Sequence, residues 1–230
     1  MSGLALAAAD VSLEIRRSDG RPDTILDLDA LAVPAGASVA VTGVSGAGKT
    51  SLIHVLGGLV RPRSGTVRWG GTDVAALSER DRVEWRRTHL GLVFQDFHLV
   101  PELSALDNII LPSQFTRRGP TRDVRARARV LIESVGLRDA GRRAVLLSRG
   151  EQQRCSIARA LLLDPPAILA DAPTASLDPD SARAVADLLV DASVRGGATL
   201  IVATHDRDLI ARLGTTMRLQ GGRRVEAVPA

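Results

Sequence analysis

The chain has 230 residues and a formal charge of +4, and 45% of its residues are hydrophobic. This composition excludes a disordered or fibrous chain, and the length predicts one domain, or one domain carrying an inserted lobe. Of the 30 basic residues, only Lys49 is a lysine, and the chain contains no Tyr. Because the arginines are interleaved with 26 acidic residues and aromatic residues are scarce, we interpret the arginine excess as coding bias, not as nucleic-acid binding.

Short apolar stretches and amphipathic stretches alternate along the chain. Strands are predicted at 9–16, 25–33, 37–42, 66–69, 90–94, 167–171, 199–203 and 215–219. Helices are predicted at about 49–58, 78–87, 104–110, 122–135, 149–163, 180–194 and 206–212. This order favours an α/β core. A break in the pattern at residues 112–120 and the arginine-rich helix after it indicate that the middle of the chain is an inserted helical lobe.

The N-terminal stretch and the cysteine content bear on the compartment. The start of the chain is apolar but carries no basic region, and its alternating pattern is that of a strand and not of a signal peptide. No run of about 18 apolar residues is present, so we expect no membrane span. Cys155 is the only cysteine, which excludes an internal disulfide and fits a reducing cytosol.

The glycine-rich segment after the third strand fits the phosphate-loop pattern G-x-x-x-x-G-K-[ST]. Its residues are Gly43, Val44, Ser45, Gly46, Ala47, Gly48, Lys49 and Thr50, and Ser51 continues into a helix. Backbone N–H groups of such a loop bind a phosphate chain, and the helix N-terminus adds partial positive charge. Lys49 is expected to contact the β- and γ-phosphates, and the Thr50 hydroxyl to bind Mg²⁺. The sequence therefore predicts a nucleoside triphosphate site.

A second segment, at residues 147–152, precedes the helix predicted to begin at 149. Ser148 and Glu151 have capping-box spacing, so an ordinary helix start is the simplest interpretation of these residues alone. In its context, however, Leu147-Ser148-x-Gly150-Glu151-Gln152 resembles the signature motif of ABC-type ATPases, and we call residues 147–152 the signature segment.

Other motifs of that family follow in the expected order, so the resemblance covers nearly the whole chain. They resemble the Q-loop glutamine (Gln95), the Walker B strand ending at Asp171, the D-loop ending at Asp178 and the switch histidine (His205). The stretch 91–112 looks most like the lipoprotein-releasing, macrolide-exporting and FtsE-like branch of these ATP-binding subunits.

The resemblance implies a P-loop NTPase core with an N-terminal antiparallel β subdomain and an inserted α-helical subdomain. Residues 1–94 and 160–230 would form the core, and residues 95–159 the helical signature subdomain. Two such chains, identical or related, would sandwich two ATP molecules, with Ser148, Gly150, Glu151 and Gln152 facing the partner's nucleotide. The implied partner is a membrane permease at the cytoplasmic face of the membrane.

The resemblance also implies roles for single residues. Thr50, Gln95 and Asp171 would hold Mg²⁺, Gln95 would sense the attacking water, and His205 would contact the γ-phosphate. A nucleic-acid machine of the same superfamily is disfavoured, because its usual coiled-coil or zinc insertions do not fit in this chain.

The main departure from the family pattern is Ala172, which stands where the family normally has a glutamate that polarises the attacking water. A methyl group accepts no proton, and loss of a general base costs about 10²–10⁴ in rate. Two origins are open, an engineered substitution that traps the ATP state or a naturally hydrolysis-poor subunit. The chain would then be an impaired ATPase or a non-hydrolysing ATP-gated clamp.

Two lesser departures concern the signature segment and the residue that would stack on adenine. Arg149 replaces the first glycine of the signature pair. The aromatic residue that usually stacks on adenine is missing, and by spacing its place falls near Arg16 or Arg17.

Overall fold

The computed structural model describes residues 3–16, 21–115 and 121–225. Ten strands, seven α-helices and one 3₁₀ turn are present in this part of the chain. The strands are β1 (Leu6–Arg16), β2 (Pro22–Val33), β3 (Ser38–Thr42), β4 (Ser64–Trp69), β5 (Thr72–Asp73), β6 (Leu90–Val93), β7 (Ala167–Asp171), β8 (Thr199–Ala203), β9 (Thr215–Gln220) and β10 (Arg223–Val225). The helices are α1 (Lys49–Leu56), α2 (Glu79–His89), α3 (Ala105–Gln114), α4 (Arg122–Ser134), α5 (Arg149–Leu161), α6 (Pro179–Gly196) and α7 (Arg207–Ala211), with the 3₁₀ turn at Ala144–Leu146.

Two sheets organise the molecule. The first is antiparallel, in the order β2-β1-β4-β5, and the second has the order β10-β9-β3-β8-β7-β6. In the second sheet β3, β6, β7, β8 and β9 run parallel, and β10 pairs antiparallel with β9. Strands β7 and β8 are buried along their whole length, which is typical of a parallel sheet covered on both faces. The predicted α/β class is confirmed.

Helix α1 and the first sheet cover one face of the central sheet. Their shared apolar cluster includes Leu26, Leu52, Ile53, Trp69 and Leu169. Helices α6 and α7 contribute to a second cluster with the other face of β7 and β8. The phosphate loop is thereby attached to a strand that is fixed from both sides.

Helices α3, α4 and α5 form a third apolar cluster of their own. On α4 the buried residue Ala128 lies between the half-buried Val124 and Leu131, so one apolar face of the helix packs against this cluster. The arginines of this helix are exposed. Arg127 nevertheless folds back and donates to the carbonyl of Leu162, 2.8 Å away.

The break predicted at Pro112 is wrong. The helix does not end before Pro112, because α3 continues through this residue to Gln114. Pro112 lies in the last turn, so its missing N–H removes a single intrahelical bond. The rest of the predicted break, residues 116–120, lies outside the described residues. The sequence patterns also missed the short strands β5 and β10.

Among the described residues, no helix combines the length and the apolar character that crossing a membrane would need.

Candidate functional site

The phosphate loop links β3 to α1, and its shape depends on two glycines in the left-handed region. Gly43 has φ +152° and Gly48 has φ +96°. A Cβ on Gly43 would lie 2.3 Å from the carbonyl oxygen of Leu219, and a Cβ on Gly48 would lie 2.8 Å from that of Ile25. Both positions therefore exclude a side chain for steric as well as conformational reasons.

The Lys49 ammonium lies inside the curve of the loop. Its Nζ donates to the carbonyl oxygens of Gly43 and Val44, each at 2.9 Å. Ala47 lies beneath the loop with its side chain buried, and its N–H donates to the Val44 carbonyl at 3.2 Å. The loop is thus pre-shaped, with its ammonium at the centre of curvature.

Helix α1 begins at Lys49 without a side-chain cap and without an acidic residue in its first turn. Each of the other α-helices in the described part of the chain has a Ser, Thr or Asp cap. The first N–H groups of α1 lack a side-chain acceptor, and they add their partial positive charge where an anion would bind.

A cleft of about 680 Å³ lies over this loop. Three further polar side chains line it, each following the carboxyl end of a parallel strand: Gln95 after β6, Asp171 at the end of β7 and His205 after β8. This edge of a parallel sheet is where α/β proteins bind ligands. The cleft residues are Ile25, Gly43, Val44, Ser45, Gly46, Gly48, Lys49, Thr50, Ser51, Gln95, Asp171, Ala172, Ala175 and His205.

The donor set fits Mg²⁺ bound together with a phosphate chain. Thr50 offers a hydroxyl, Gln95 an amide oxygen and Asp171 a carboxylate, all of them the hard oxygen ligands that Mg²⁺ prefers. The described residues contain no group of three or more His, Cys, Asp and Glu side chains that could hold a metal ion without other ligands. Mg²⁺ commonly takes one or two carboxylates and completes its shell with phosphates and water, which this arrangement allows.

Ala172 lines the same cleft directly after Asp171. Its φ is +44°, an unusual value for a residue with a Cβ, and its N–H donates to the Ala203 carbonyl at 2.8 Å. Among the described residues that line the cleft, Asp171 supplies the one carboxylate, and it is 6% exposed.

The signature segment lies outside this cleft. Ser148 and Glu151 form the predicted capping box: Ser148 Oγ accepts from the Glu151 N–H at 3.3 Å, and Glu151 Oε2 accepts from the Ser148 N–H at 2.8 Å. The second of these bonds lowers the pKa of Glu151 below its usual value. Gln152 donates to the carbonyl of Ala144 at 2.9 Å, which joins the segment to the preceding 3₁₀ turn.

Gly150 packs the first turn of α5 against the first turn of α6. A Cβ on Gly150 would lie 2.4 Å from Ser181 Oγ. The backbone N–H of Ser181 is in turn held by the capping carboxylate of Asp178, at 2.9 Å. The signature segment therefore packs through glycine against Ser181, whose backbone is held by Asp178.

The structure adds cleft residues that the motifs did not predict. Ile25 presents a half-buried aliphatic side chain to the cleft from β2. No sequence motif predicts Ile25 as a cleft residue, because a strand residue reaches the cleft through tertiary packing. Arg16, one of the two positions expected to replace the adenine-stacking aromatic residue, is exposed at the end of β1, and Arg17 lies outside the described residues.

A family model described as "ABC transporter" matches residues 26–175 of the chain. The chain belongs to the ABC transporter family. Its relatives include proteins named "Lipoprotein-releasing system ATP-binding protein LolD". The protein of that name from Syntrophus aciditrophicus is 39% identical over 207 residues, covering 90% of this chain and 92% of the relative. That from Cereibacter sphaeroides is 43% identical over 208 residues, covering 89% and 92%.

Solved structures agree with the sequence relatives. The ATP-binding cassette MJ0796, in a dimeric post-hydrolysis state bound to ADP and Pi, superposes with a TM-score of 0.89 at 31% identity, covering 96% of this chain and 97% of that chain. A second dimeric structure of MJ0796 gives a TM-score of 0.90 with the same identity and coverage. The α/β fold is thus that of an ABC ATPase cassette, and the chain is an ATP-binding subunit of an ABC transporter, from a family that binds ATP, generally with Mg²⁺.

Proposed function

We propose that this subunit binds ATP·Mg²⁺ in the cleft and closes on a second copy, or on a related ATPase, so that two nucleotides are held between the chains. The observation that carries the proposal is the separation of the phosphate loop from the signature segment. The phosphate loop lines the cleft, whereas the capped start of α5 at Ser148 lies outside it. A second chain would bring one feature opposite the other, and both MJ0796 structures are described as dimeric.

In this proposal residues 95–159 act as the helical signature subdomain and the remainder as the ATP-binding core. The apolar cluster of α3, α4 and α5 supports the division, since most of its residues lie within 95–159. Thr50, Gln95 and Asp171 would hold the magnesium ion, and His205 would contact the γ-phosphate. Bound Mg²⁺ would neutralise phosphate charge, while Lys49 and the α1 N-terminus orient the phosphate chain.

We further propose that the subunit drives a membrane permease at the cytoplasmic face of the membrane. A groove of about 400 Å³, here named the docking groove, lies between α2, β6, α3 and α5. Its walls are mainly apolar, and they include Phe94, Pro112 and Phe115, the last with 78% of its surface exposed. Arg86, Arg87 and Arg159 also line it, so an apolar helix with an acidic end is the complementary partner.

Co-purification with the permease encoded beside this gene tests the partner. A Phe115→Asp variant should lose the permease while still binding ATP, whereas Val194→Asp should keep both, since Val194 is similarly exposed but lies on α6, away from the groove. Retention of the permease by Phe115→Asp would contradict the assignment of the groove.

The position of Ala172 supports slow hydrolysis. Neither of the remaining candidates replaces the carboxylate that the resemblance puts at position 172. Asp171 is proposed to bind the metal, and the imidazole of His205 is a poor match for a carboxylate. ATP binding does not need that carboxylate, so binding and closure survive without rapid turnover. The alternative function, favoured by the same residue, is a non-hydrolysing ATP-gated clamp or regulator of a membrane complex.

Steady-state ATP hydrolysis by the chain and by Ala172→Glu separates these possibilities. A restored base should raise the rate by about 10²–10⁴ with little change in ATP affinity. Ala172→Gln is the matched control, since it adds the same bulk without a base, and it should stay near the rate of the parent chain. Ordinary turnover by the parent chain would refute both the impairment and the clamp.

A further inference from the structure

The turn that follows Gln95 is held in an unusual backbone conformation. Phe97 has φ +59° and His98 has φ +46°, both in the left-handed region. Residues with a Cβ stay there only where surrounding structure fixes them. The turn is tight as well, because the Phe97 N–H donates to the Phe94 carbonyl at 3.3 Å and the His98 N–H to the Asp96 carbonyl at 2.6 Å. Gln95 lies inside this hydrogen-bonded turn, so a displacement of Phe97 displaces Gln95.

Arg159 of α5 holds the backbone of the turn. Its guanidinium donates to the carbonyl oxygens of Phe97 and His98, each at 2.5 Å. Burial lowers the pKa of Arg159, which is half-buried where it lines the docking groove. Two donors of one planar guanidinium therefore fix adjacent carbonyl groups of the turn.

Arg149, ten residues earlier on the same helix, contacts the side chain of Phe97 in this turn. Its guanidinium carbon lies 5.3 Å from the centre of the Phe97 ring, within the range of a cation–π contact. The ring is buried, whereas Arg149 itself is exposed and belongs to the signature segment. The glycine that the family resemblance puts at position 149 has no side chain and could not make this contact.

We propose that Arg149 is a positioning residue for Gln95, acting through the Phe97 ring to couple the signature segment to the magnesium-binding side of the cleft. With Arg159, it fixes Phe97 from two points of one helix, so that movement of α5 is transmitted to the turn around Gln95. The inference rests on the proposed function only for the role of Gln95 toward Mg²⁺. The contact itself does not rest on the proposed function, because it depends only on the presence of Arg149 in this chain.

The coupling is tested by the Mg²⁺ concentration that gives half-maximal binding of a fluorescent ATP analogue, measured on dilute protein. Arg149→Gln and Phe97→Leu should each raise this concentration about two- to fivefold, the range that corresponds to an exposed cation–π contact. The double variant should show no more than the larger single effect, since both changes remove the same contact. Arg149→Lys keeps a cation over the ring and should restore most of the parent value.

The control is Arg143→Gln, which removes the same charge from an exposed arginine near the signature segment and should leave the Mg²⁺ requirement unchanged. Binding of the analogue without Mg²⁺ should be equal in all variants. Additive effects in the double variant, an unchanged Arg149→Gln, or an Arg149→Lys as impaired as Arg149→Gln would each overturn the proposal.

A second measurement needs no nucleotide. The chain contains three phenylalanines, so incorporation of 4-fluorophenylalanine gives three ¹⁹F signals, of which Phe97→Leu identifies one. Arg149→Gln should shift that signal and leave the other two in place, and an unmoved signal would disprove the contact. Failure of the proposed function is distinguishable, because it would appear as a parent chain that binds ATP·Mg²⁺ but stays monomeric in sedimentation velocity.

Discussion

Asn108 is the only asparagine in the chain, and its side chain is completely buried on α3. Its Oδ1 accepts from the Val100 N–H at 2.7 Å, and its Nδ2 faces the carbonyl oxygens of Val100, Ser104 and Leu103 at 3.0, 3.1 and 3.3 Å. One side chain therefore satisfies the backbone of the loop that runs from the Gln95 turn into the helical cluster.

The loss expected from Asn108→Ala follows from these contacts. The amide has two N–H groups, so it makes two good donor bonds at a time and accepts a third. At about 1 kcal/mol net for each bond, and with buried backbone groups left unpaired, the free energy of unfolding should fall by about 2–4 kcal/mol. Asn108→Asp should be worse at neutral pH, because a carboxylate oxygen would then face the same carbonyl oxygens.

Urea unfolding followed by tryptophan fluorescence measures this loss, because Trp69 and Trp85 are both buried. Ser134→Ala is the control: it removes one hydrogen bond from an exposed serine and should change the free energy by less than about 0.5 kcal/mol. In Asn108→Asp, burial among carbonyl oxygens would raise the folded-state pKa of the introduced carboxyl group, so this variant should regain stability as the pH falls from about 7 towards 5. A cost below about 1 kcal/mol for Asn108→Ala, or no acid recovery of Asn108→Asp, would refute the reasoning.

Three further predictions concern single side chains. Lys49→Arg should abolish tight ATP binding in equilibrium dialysis, because a planar guanidinium cannot replace an ammonium held 2.9 Å from two loop carbonyls, and retained affinity would contradict this. Glu151→Gln should lower stability at pH 7. Since the folded-state pKa of Glu151 is depressed, its contribution is present above about pH 4.3 and lost as the pH falls through the folded-state value. Urea titrations of both chains should therefore converge below that pH, and a gap that persists in acid would count against it. Burial raises the pKa of the Cys155 thiol to about 12, so at pH 8 a thiol reagent should label the native chain slowly and the unfolded chain fully. Fast native labelling would show that Cys155 is accessible.

Local patterns sufficed for those elements whose residues show the required periodicity. The apolar runs at 167–171 and 199–203 became β7 and β8 with the predicted bounds. Strands β5 and β10 were missed because they have two and three residues and no apolar alternation, so only pairing with a neighbour defines them. Helix α3 passes Pro112 because tertiary packing of its apolar face outweighs one lost hydrogen bond.

The candidate site was also predicted only in part, because some of its residues meet through tertiary packing. The family resemblance implied that Gln95, Asp171 and His205 belong with the phosphate loop, and the structure brings all three to one cleft. The cation–π contact between Arg149 and Phe97 joins residues 52 positions apart, and no local pattern reports it. Ile25 is a comparable case, because its approach to the cleft depends on how the first sheet packs over the loop.

Coding bias, by which we interpret the arginine excess, does not account for the exceptions to it. Lysine persists at one position, where two carbonyl oxygens define a pocket for an ammonium, and asparagine persists at one position, where four backbone groups require both a donor and an acceptor. The methyl group of Ala172 has no such explanation, because the chain carries 26 acidic residues and composition does not disfavour a carboxylate. The residues proposed to bind phosphate are all present in the chain, whereas the carboxylate that would activate water is absent from position 172. Under the proposed function, such a subunit would hold its nucleotide well and release it slowly, so the timing of opening would depend on whatever docks against the lobe that carries Arg149.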